Sequence, residues 1–268
     1  MTSDGNEPRG GDVVYRHRLP VRLWHWVNAL SVIVMLMSGL MIFNAHPHLY
    51  WGAYGANYDH SWLDITPGQL RVGPLKIPTP GLLGVSPHGR FVAFPPLVTI
   101  PSSYNLAHAR EWHLAFAWLL VVPGVAFLAW GVARRHFQRD LVPTLAELHP
   151  AHIAHDIAQH ARLRFPTGAA AHRYNVLQKL AYSSVLFVLI PGVVLTGLTM
   201  SPAIDAAWPW LPDVFGGRQS ARSIHFLCAM GLALFILVHL VMVVLAGPIN
   251  EVRSMITGRY RLPRERGE

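Results

Sequence analysis

Four stretches of this chain are long and apolar enough to cross a bilayer, and nothing else in the sequence constrains its fold so tightly. They cover residues 23–43, 112–132, 177–199 and 224–247. About 20 apolar residues in a helix span the hydrocarbon core. Inside hydrocarbon the backbone must satisfy its own hydrogen bonds, so these segments are expected to be helices. Composition agrees: 52% of residues are hydrophobic and only 13% are charged, where a soluble domain carries about a quarter. The expected architecture is an all-α integral membrane protein, an antiparallel four-helix transmembrane bundle forming one domain over residues 1–268. The first span follows a polar, Arg-bearing arm and lacks a small-x-small cleavage site, so it reads as a retained helix.

Between the spans lie an outer loop (44–111), an inner loop (133–176) and a short outer turn. The outer loop is rich in Gly, Pro, Trp and Tyr and too aromatic for disorder. It is expected to pack over the outer face with short helices. Within the inner loop, "TLAELHPAHIAHDIAQHARLRF" predicts a surface helix. Basic residues set the orientation. Arg9, Arg16, Arg18 and Arg22 precede the first span. Arg134, Arg135, Arg139, Arg162, Arg164, Arg173 and Lys179 lie between the second and third, and Arg253, Arg259, Arg261, Arg264 and Arg266 follow the fourth. Against these sixteen stand six on the other side: Arg71, Lys76, Arg90, Arg110, Arg218 and Arg222. The excess predicts both termini in the cytoplasm and a periplasmic loop between helices one and two. Cationic loops beside membrane helices account for the net charge of +8 without any nucleic acid partner.

The fourth span carries two imidazoles in "RSIHFLCAMGLALFILVHL", at His225 and His239. Fourteen residues of helix rise about 21 Å and fall about 40° short of four full turns. The two histidines therefore share a face, one near each membrane surface. Ionisable residues inside a bilayer are costly and point to function. The first span supplies His25 near its inner end and the second supplies His113 near its outer end. Helix directions then match His113 with His225 at the outer level and His25 with His239 at the inner. Opposed neutral imidazoles suit the two axial positions of a b-type haem. Two such levels predict two haem b groups, with irons roughly 20 Å apart along the helical rise. No C-x-x-C-H is present, so neither group is attached covalently. Ser38, Gly39, Gly124, Gly192 and Gly231 are small residues that leave room for flat macrocycles.

These features resemble the four-helix dihaem cytochrome b membrane subunits of bacterial respiratory complexes. That group includes the cytochrome subunits of nickel–iron hydrogenases, formate dehydrogenases and thiosulfate-reductase-like enzymes. The resemblance rests on "RHRLPVRLWHWVNA", "REWHLAFAW", "HRYNVLQKLAY" and "RSIHF" with His239 fourteen residues after its histidine. It covers the four helices and leaves out the long outer loop. It implies a multi-pass protein of the bacterial inner membrane that exchanges electrons between a partner enzyme and quinone. It also implies a quinone site near the inner haem, at Tyr174, Asn175, Gln178 and Lys179. Some members carry a glycine two residues after the Asn, where this chain has Leu177.

Arg22, Arg110 and Arg222 stand near the ends of the His-bearing helices and are candidate contacts for haem propionates. The expected partner is a periplasmic oxidoreductase subunit, a molybdopterin enzyme first and a hydrogenase second, with lipid around the bundle and self-association as a further option. In the inner loop, His136, His149, His152, His155 and His160 read as a solvated, mildly titrating surface, although His152 and His155 have metal-ligand spacing. Cys228 reads as a small core residue; Trp24, Trp26, Trp112, Trp118 and Trp130 read as interfacial belt or core. The rival function is a haem-free transporter or proton or metal channel using intramembrane histidines. Such proteins show inverted repeats and midplane acids, whereas the four spans here contain no Asp or Glu.

Overall fold

The computed structural model of the chain describes residues 10–56, 58–162 and 174–263. Arg9, Arg164, Arg173, Arg264 and Arg266, counted in the charge balance, lie outside the described residues, as does the side chain of His160. Four helices are long and apolar enough to cross a membrane: α1 (Leu19–Phe43), α2 (Leu106–Ala133), the composite helix Val176–Thr199 and α9 (Arg218–Ala246). Leu30, Ile33, Val122, Val125, Leu195, Leu234 and Val241 point outward from them. A water-soluble fold would bury such a surface; a bilayer solvates it.

The composite helix consists of α5 (Val176–Ser184), a π-helical turn (Val185–Leu189) and α6 (Ile190–Thr199). The π turn sits just before Pro191. Proline lacks an N–H and its ring crowds the carbonyl four residues earlier. Widening the preceding turn relieves that crowding, the usual origin of such bulges. Shorter helices are α3 (His136–Asp140) and α4 (Pro150–Ala161) in the inner loop, α7 (Pro202–Ala207) and α8 (Leu211–Val214) in the outer turn, and α10 (Pro248–Thr257) after α9.

The chain forms two compact units, and the division falls within each long helix. One comprises Met1–Val27, Pro123–Val188 and Leu234–Glu268; the other comprises Asn28–Val122 and Leu189–Ala233. In the first, here the terminal unit, β1 (Val13–Tyr15) pairs antiparallel with β6 (Arg259–Arg261). The arm and the basic tail are therefore joined as a ribbon. Phe127, Phe137, Leu141 and Leu186 form a core, with Trp24, Trp130, Tyr174 and Tyr182 packed against it.

In the second, here the loop unit, the outer loop carries the expected short helices as two 3₁₀ turns, Pro87–Gly89 and Pro96–Val98, together with a four-stranded sheet that was not expected. The order is β2 (His48–Leu49), β3 (Leu63–Thr66), β4 (Gln69–Val72) and β5 (Leu75–Pro78), each antiparallel to the next. The turns are two residues long, Pro67-Gly68 and Gly73-Pro74. Gly73 opens its turn at φ 55°, a conformation in which a glycine matches the twist of a hairpin. Leu49, Leu63, Ile65 and Ala93 bury themselves against Phe43 of α1. The start of α9 anchors the loop. The amides of Gln219 and Ser220 donate to the Gly52 carbonyl, which satisfies two orphan helix donors. Trp62 Nε1 donates to Ser223 Oγ (2.9 Å), and Ser223 Oγ donates to the Tyr50 carbonyl (2.6 Å).

Within the sheet, buried Asp64 pairs across the strands with Arg71 and accepts from Ser61 Oγ at 3.0 Å. Removing the cation strands a desolvated carboxylate, so Arg71→Ala should destabilise the sheet by about 2 kcal/mol, and Arg71→Ala/Asp64→Ala by less. Hydrogen exchange of the β3 and β4 amides measures the difference. Equal losses in the single and double variants would show that the pair is not coupled.

Candidate functional site

Each unit holds one pair of facing imidazoles. In the loop unit, α2 brings His113 opposite His225 of α9, with ring centroids 6.2 Å apart and planes inclined by 55°. In the terminal unit, α1 brings His25 opposite His239 of α9, again at 6.2 Å and inclined by 59°. The four histidines singled out in the sequence thus come together in the two combinations that helix direction predicts.

The loop-unit pair has its protonation pattern written into the surrounding hydroxyls. Ser38 Oγ donates to the Val34 carbonyl (2.8 Å) and lies 3.1 Å from His113 Nδ1. Thr196 Oγ1 donates to the Gly192 carbonyl and lies 3.1 Å from His225 Nδ1. Each hydroxyl has one proton, and a helix carbonyl four residues back takes it. The imidazoles must then donate from Nδ1–H, which places the lone pair on Nε2. Both rings are then free to offer that lone pair to the gap between them. Gly39 and Gly197 make the approach possible: a Cβ on either would lie 3.4 and 3.5 Å from the Cε1 of His113 and His225 respectively. The gap is a cavity of about 30 Å³ walled by Val32, Leu36, Leu120, Val193 and Leu232.

The terminal-unit pair is held differently. His239 stacks on Phe235 at 5.7 Å and 12°, and His25 meets the edge of Trp26 at 5.0 Å. His25 Nδ1 is buried with no hydrogen-bond partner among the described residues. A buried orphan nitrogen is costly in a purely structural histidine.

Both separations suit a shared planar group with two axial positions. A direct imidazole–imidazole hydrogen bond would draw the rings closer than this. Two metal–nitrogen bonds of ~2.0 Å laid end to end, with half a ring added at each side, amount to roughly 6 Å. Separation, tautomer and apolar walls fit a b-type haem at the loop-unit pair, and separation and the orphan nitrogen fit one at the terminal-unit pair.

The remaining candidates have definite places. Asn175 and Gln178 form a capping box at the start of α5: Asn175 Oδ1 accepts from the Gln178 amide (2.9 Å), and Gln178 Oε1 accepts from the Asn175 amide (3.2 Å). Their amide oxygens thus serve the helix start. Lys179 Nζ is bound to both carboxylate oxygens of Glu147, at 2.7 and 2.9 Å. Tyr174 packs edge-on against Tyr182 at 5.4 Å, below the guanidinium of Arg16 at 5.6 Å. Burial raises its phenol above the ordinary value. Arg110 is exposed in the first turns of α2, and Arg22 has a buried Nε without a partner among the described residues. Arg222 Nη1 and Nη2 donate to the carbonyls of His48 and His46 and so tie down the loop. Of the small residues expected to make room, Gly39 and Ser38 touch His113, while Gly124, Gly192 and Gly231 admit Trp24, Cys228 and Leu189. His152 lies 3.9 Å from Asp156 on the exposed α4. Thr196 and Gly197 were missed in the sequence, where a small polar residue on a membrane helix carries no distinguishing signal.

Hydrogen bonds from Lys179, and then from the Thr144 amide, hold the Glu147 carboxyl below the usual carboxylate range. A depressed carboxylate stabilises the fold above its unfolded pKa of ~4.3 and loses that contribution as pH falls through the folded value. Lys179→Met should therefore flatten the acid side of the stability profile while changing little in the slope above neutrality. Thermal unfolding scanned from pH 7 to pH 3 checks this, and an unchanged acid limb counts against the pairing.

A family description, prokaryotic cytochrome b561, matches residues 16–258. Among curated relatives, a chain of Azospira oryzae named as a protein-methionine-sulfoxide reductase subunit, YedZ1, is 25% identical over 225 residues, covering 84% of this chain and 88% of its own. A chain of Azotobacter vinelandii named as a Ni/Fe-hydrogenase B-type cytochrome subunit is 24% identical, covering 97% and 94%. Its counterpart in Cupriavidus necator is 23% identical, covering 97% and 92%. No solved structure matches the chain significantly.

Proposed function

The chain belongs to the prokaryotic cytochrome b561 family, and on that premise we propose that it carries electrons through the bacterial inner membrane, between a partner oxidoreductase and quinone, on two non-covalent haem b groups. One observation carries this reading: two imidazole pairs, one in each unit, at the same 6.2 Å separation. His113 and His225 would hold one group; His25 and His239 would hold the other. A haem b held there would supply a one-electron iron couple. The chain's own contribution is to fix tautomers through Ser38 and Thr196, to exclude water with apolar walls, and to place both groups along α9. Family membership displaces the haem-free transporter.

The excess of basic residues beside the terminal unit supports a cytoplasmic location for the termini. The sheet of the loop unit then faces the periplasm and offers a folded surface to a partner there. The candidates for that partner are a molybdopterin oxidoreductase and a nickel–iron hydrogenase. The names of the relatives bring the hydrogenase level with the enzyme that the sequence put first.

Quinone exchange is assigned to the start of α5. There Tyr174, the amide groups of Asn175 and Gln178, and the Lys179–Glu147 pair gather at the polar end of a membrane helix. Quinone chemistry moves protons with electrons, and a site at the wet interface exchanges them without a relay. The two amide oxygens hold the capping box, so a hydrogen bond to a quinone carbonyl would come from N–H or O–H groups of this cluster.

Haem per polypeptide should approach two, all of it extracted by acid–acetone. His113→Ala and His225→Ala should remove the same component in a redox titration; His25→Ala and His239→Ala should remove the other. Loss of one common component in His113→Ala and His239→Ala would overturn the pairing. Asn175→Ser separates capping from quinone binding, because serine caps a helix about as well as asparagine and has no amide. Stability and haem content should hold while haem-to-quinone exchange falls roughly tenfold, equivalent to ~1.4 kcal/mol. Unchanged exchange in that variant removes Asn175 from the quinone site.

A further inference from the structure

Beyond the haem pairs, the terminal unit contains a second and larger cavity. It measures about 630 Å³ and is lined by Ala246, Ile249, Asn250, Arg253, Arg261 and Leu262, among others. That is the size of a small-molecule site. Its position follows from the backbone. Ala246 is the last residue of α9, and Gly247, at φ 106°, turns the chain sharply into α10. The cavity therefore opens where a membrane-spanning helix leaves the apolar layer.

Its lining has two chemistries. Ala246, Ile249 and Leu262 are apolar; Arg253 and Arg261 are cationic, and neither takes part in an ion pair among the described residues. Among the described residues no carboxylate is in the lining. Glu251, the acidic residue of α10, faces Arg16 instead at 3.9 Å. Arg253 is four residues beyond Ile249, so its guanidinium stands beside the isoleucine on the helix surface. Arg261 is held by its backbone: Asn250 Nδ2 donates to its carbonyl (2.8 Å) and Asn250 Oδ1 accepts from its amide (3.1 Å). Leu262 is fixed in turn by backbone bonds with Gly11 and Asp12. The two cations thus project from a braced frame.

The rest of α10 points the same way. Ile249, Val252 and Ile256 form a stripe at i, i+3 and i+7, and they are 86%, 41% and 61% exposed. An exposed apolar stripe on a short amphipathic helix beside a membrane span is the signature of a helix lying in the headgroup layer. A ligand for this cavity must satisfy two guanidiniums and an apolar wall at once. A free anion leaves the wall bare, a lipid without phosphate leaves the arginines unpaired, and a zwitterionic lipid brings its own cation to compete for the phosphate.

We propose that the cavity between α10 and the β1–β6 ribbon is a binding site for one anionic phospholipid, with its phosphate on Arg253 and Arg261 and the upper part of an acyl chain on Ala246, Ile249 and Leu262. Guanidinium forks are suited to phosphate oxygens. Basic pockets at the ends of membrane helices bind anionic headgroups by the same physics.

The test uses the full-length protein in detergent, titrated with phosphatidylglycerol, phosphatidylcholine or inorganic phosphate, with bound lipid counted by native mass spectrometry. Phosphatidylglycerol should bind the wild type in preference to the other two, with an affinity that falls as salt is raised. Arg253→Gln/Arg261→Gln should weaken it roughly thirtyfold, the combined effect of two interfacial cations. Arg134→Gln/Arg139→Gln, which removes two exposed arginines elsewhere in the terminal unit, should bind as the wild type does. Ile249→Asp should weaken phosphatidylglycerol without removing either cation, and Arg253→Lys should retain most of the binding. Undiminished binding by Arg253→Gln/Arg261→Gln overturns the site. So does an equal loss in the Arg134→Gln/Arg139→Gln control. Equal affinity for inorganic phosphate or for phosphatidylcholine overturns the assignment of an anionic lipid.

Discussion

A histidine inside a bilayer must be neutral, and both its nitrogens need an occupation; the rest of this structure is arranged around that demand. Leaving a ring nitrogen unpaired in a low dielectric costs ~1–3 kcal/mol. The loop unit meets the demand on one side with hydroxyls. Ser38 and Thr196 pass their own protons to helix carbonyls and accept from the imidazoles. The other nitrogen is left facing its opposite number across an apolar gap. This arrangement is poor for a core that only needs to pack, because two lone pairs confront each other. It becomes favourable once a metal lies between them.

Much of this was legible in the sequence because helix geometry converts spacing into position. Fourteen residues between His225 and His239 bring two imidazoles onto one face at two depths. Opposite helix directions then choose His113 and His25 as partners, and the ring contacts show those two pairs. The outer loop was not legible in the same way. Its strands are two to four residues long and two of its turns use Pro beside Gly, so no alternation runs far enough to signal a sheet. What organises it is tertiary: Phe43 beneath Leu49, Leu63 and Ile65, and the first turns of α9 fastened to Tyr50, Gly52 and Trp62.

Two readings turned on the same physical point, that a polar side chain near a helix end has two possible employers. Asn175 and Gln178 are three residues apart ahead of an apolar run, which is capping-box spacing as much as it is a pair of ligand donors. The structure gives their oxygens to the cap. Arg222 stands in the first turns of α9, where the His46 and His48 carbonyls accept from its guanidinium. Local backbone groups compete for any donor near a helix end, and sequence spacing does not show which of the two prevails.

The two histidine pairs differ in how their ring nitrogens are held. Donation from Nδ1–H to a hydroxyl makes an imidazole a stronger electron donor to a metal on its other nitrogen. His113 and His225 both have that hydroxyl; His25 has no partner for Nδ1 among the described residues. A metal held between His113 and His225 would therefore meet two imidazoles made more basic by hydroxyls, whereas a metal at His25 would meet one without that support. The hydroxyls of Ser38 and Thr196 supply this difference from within the helices.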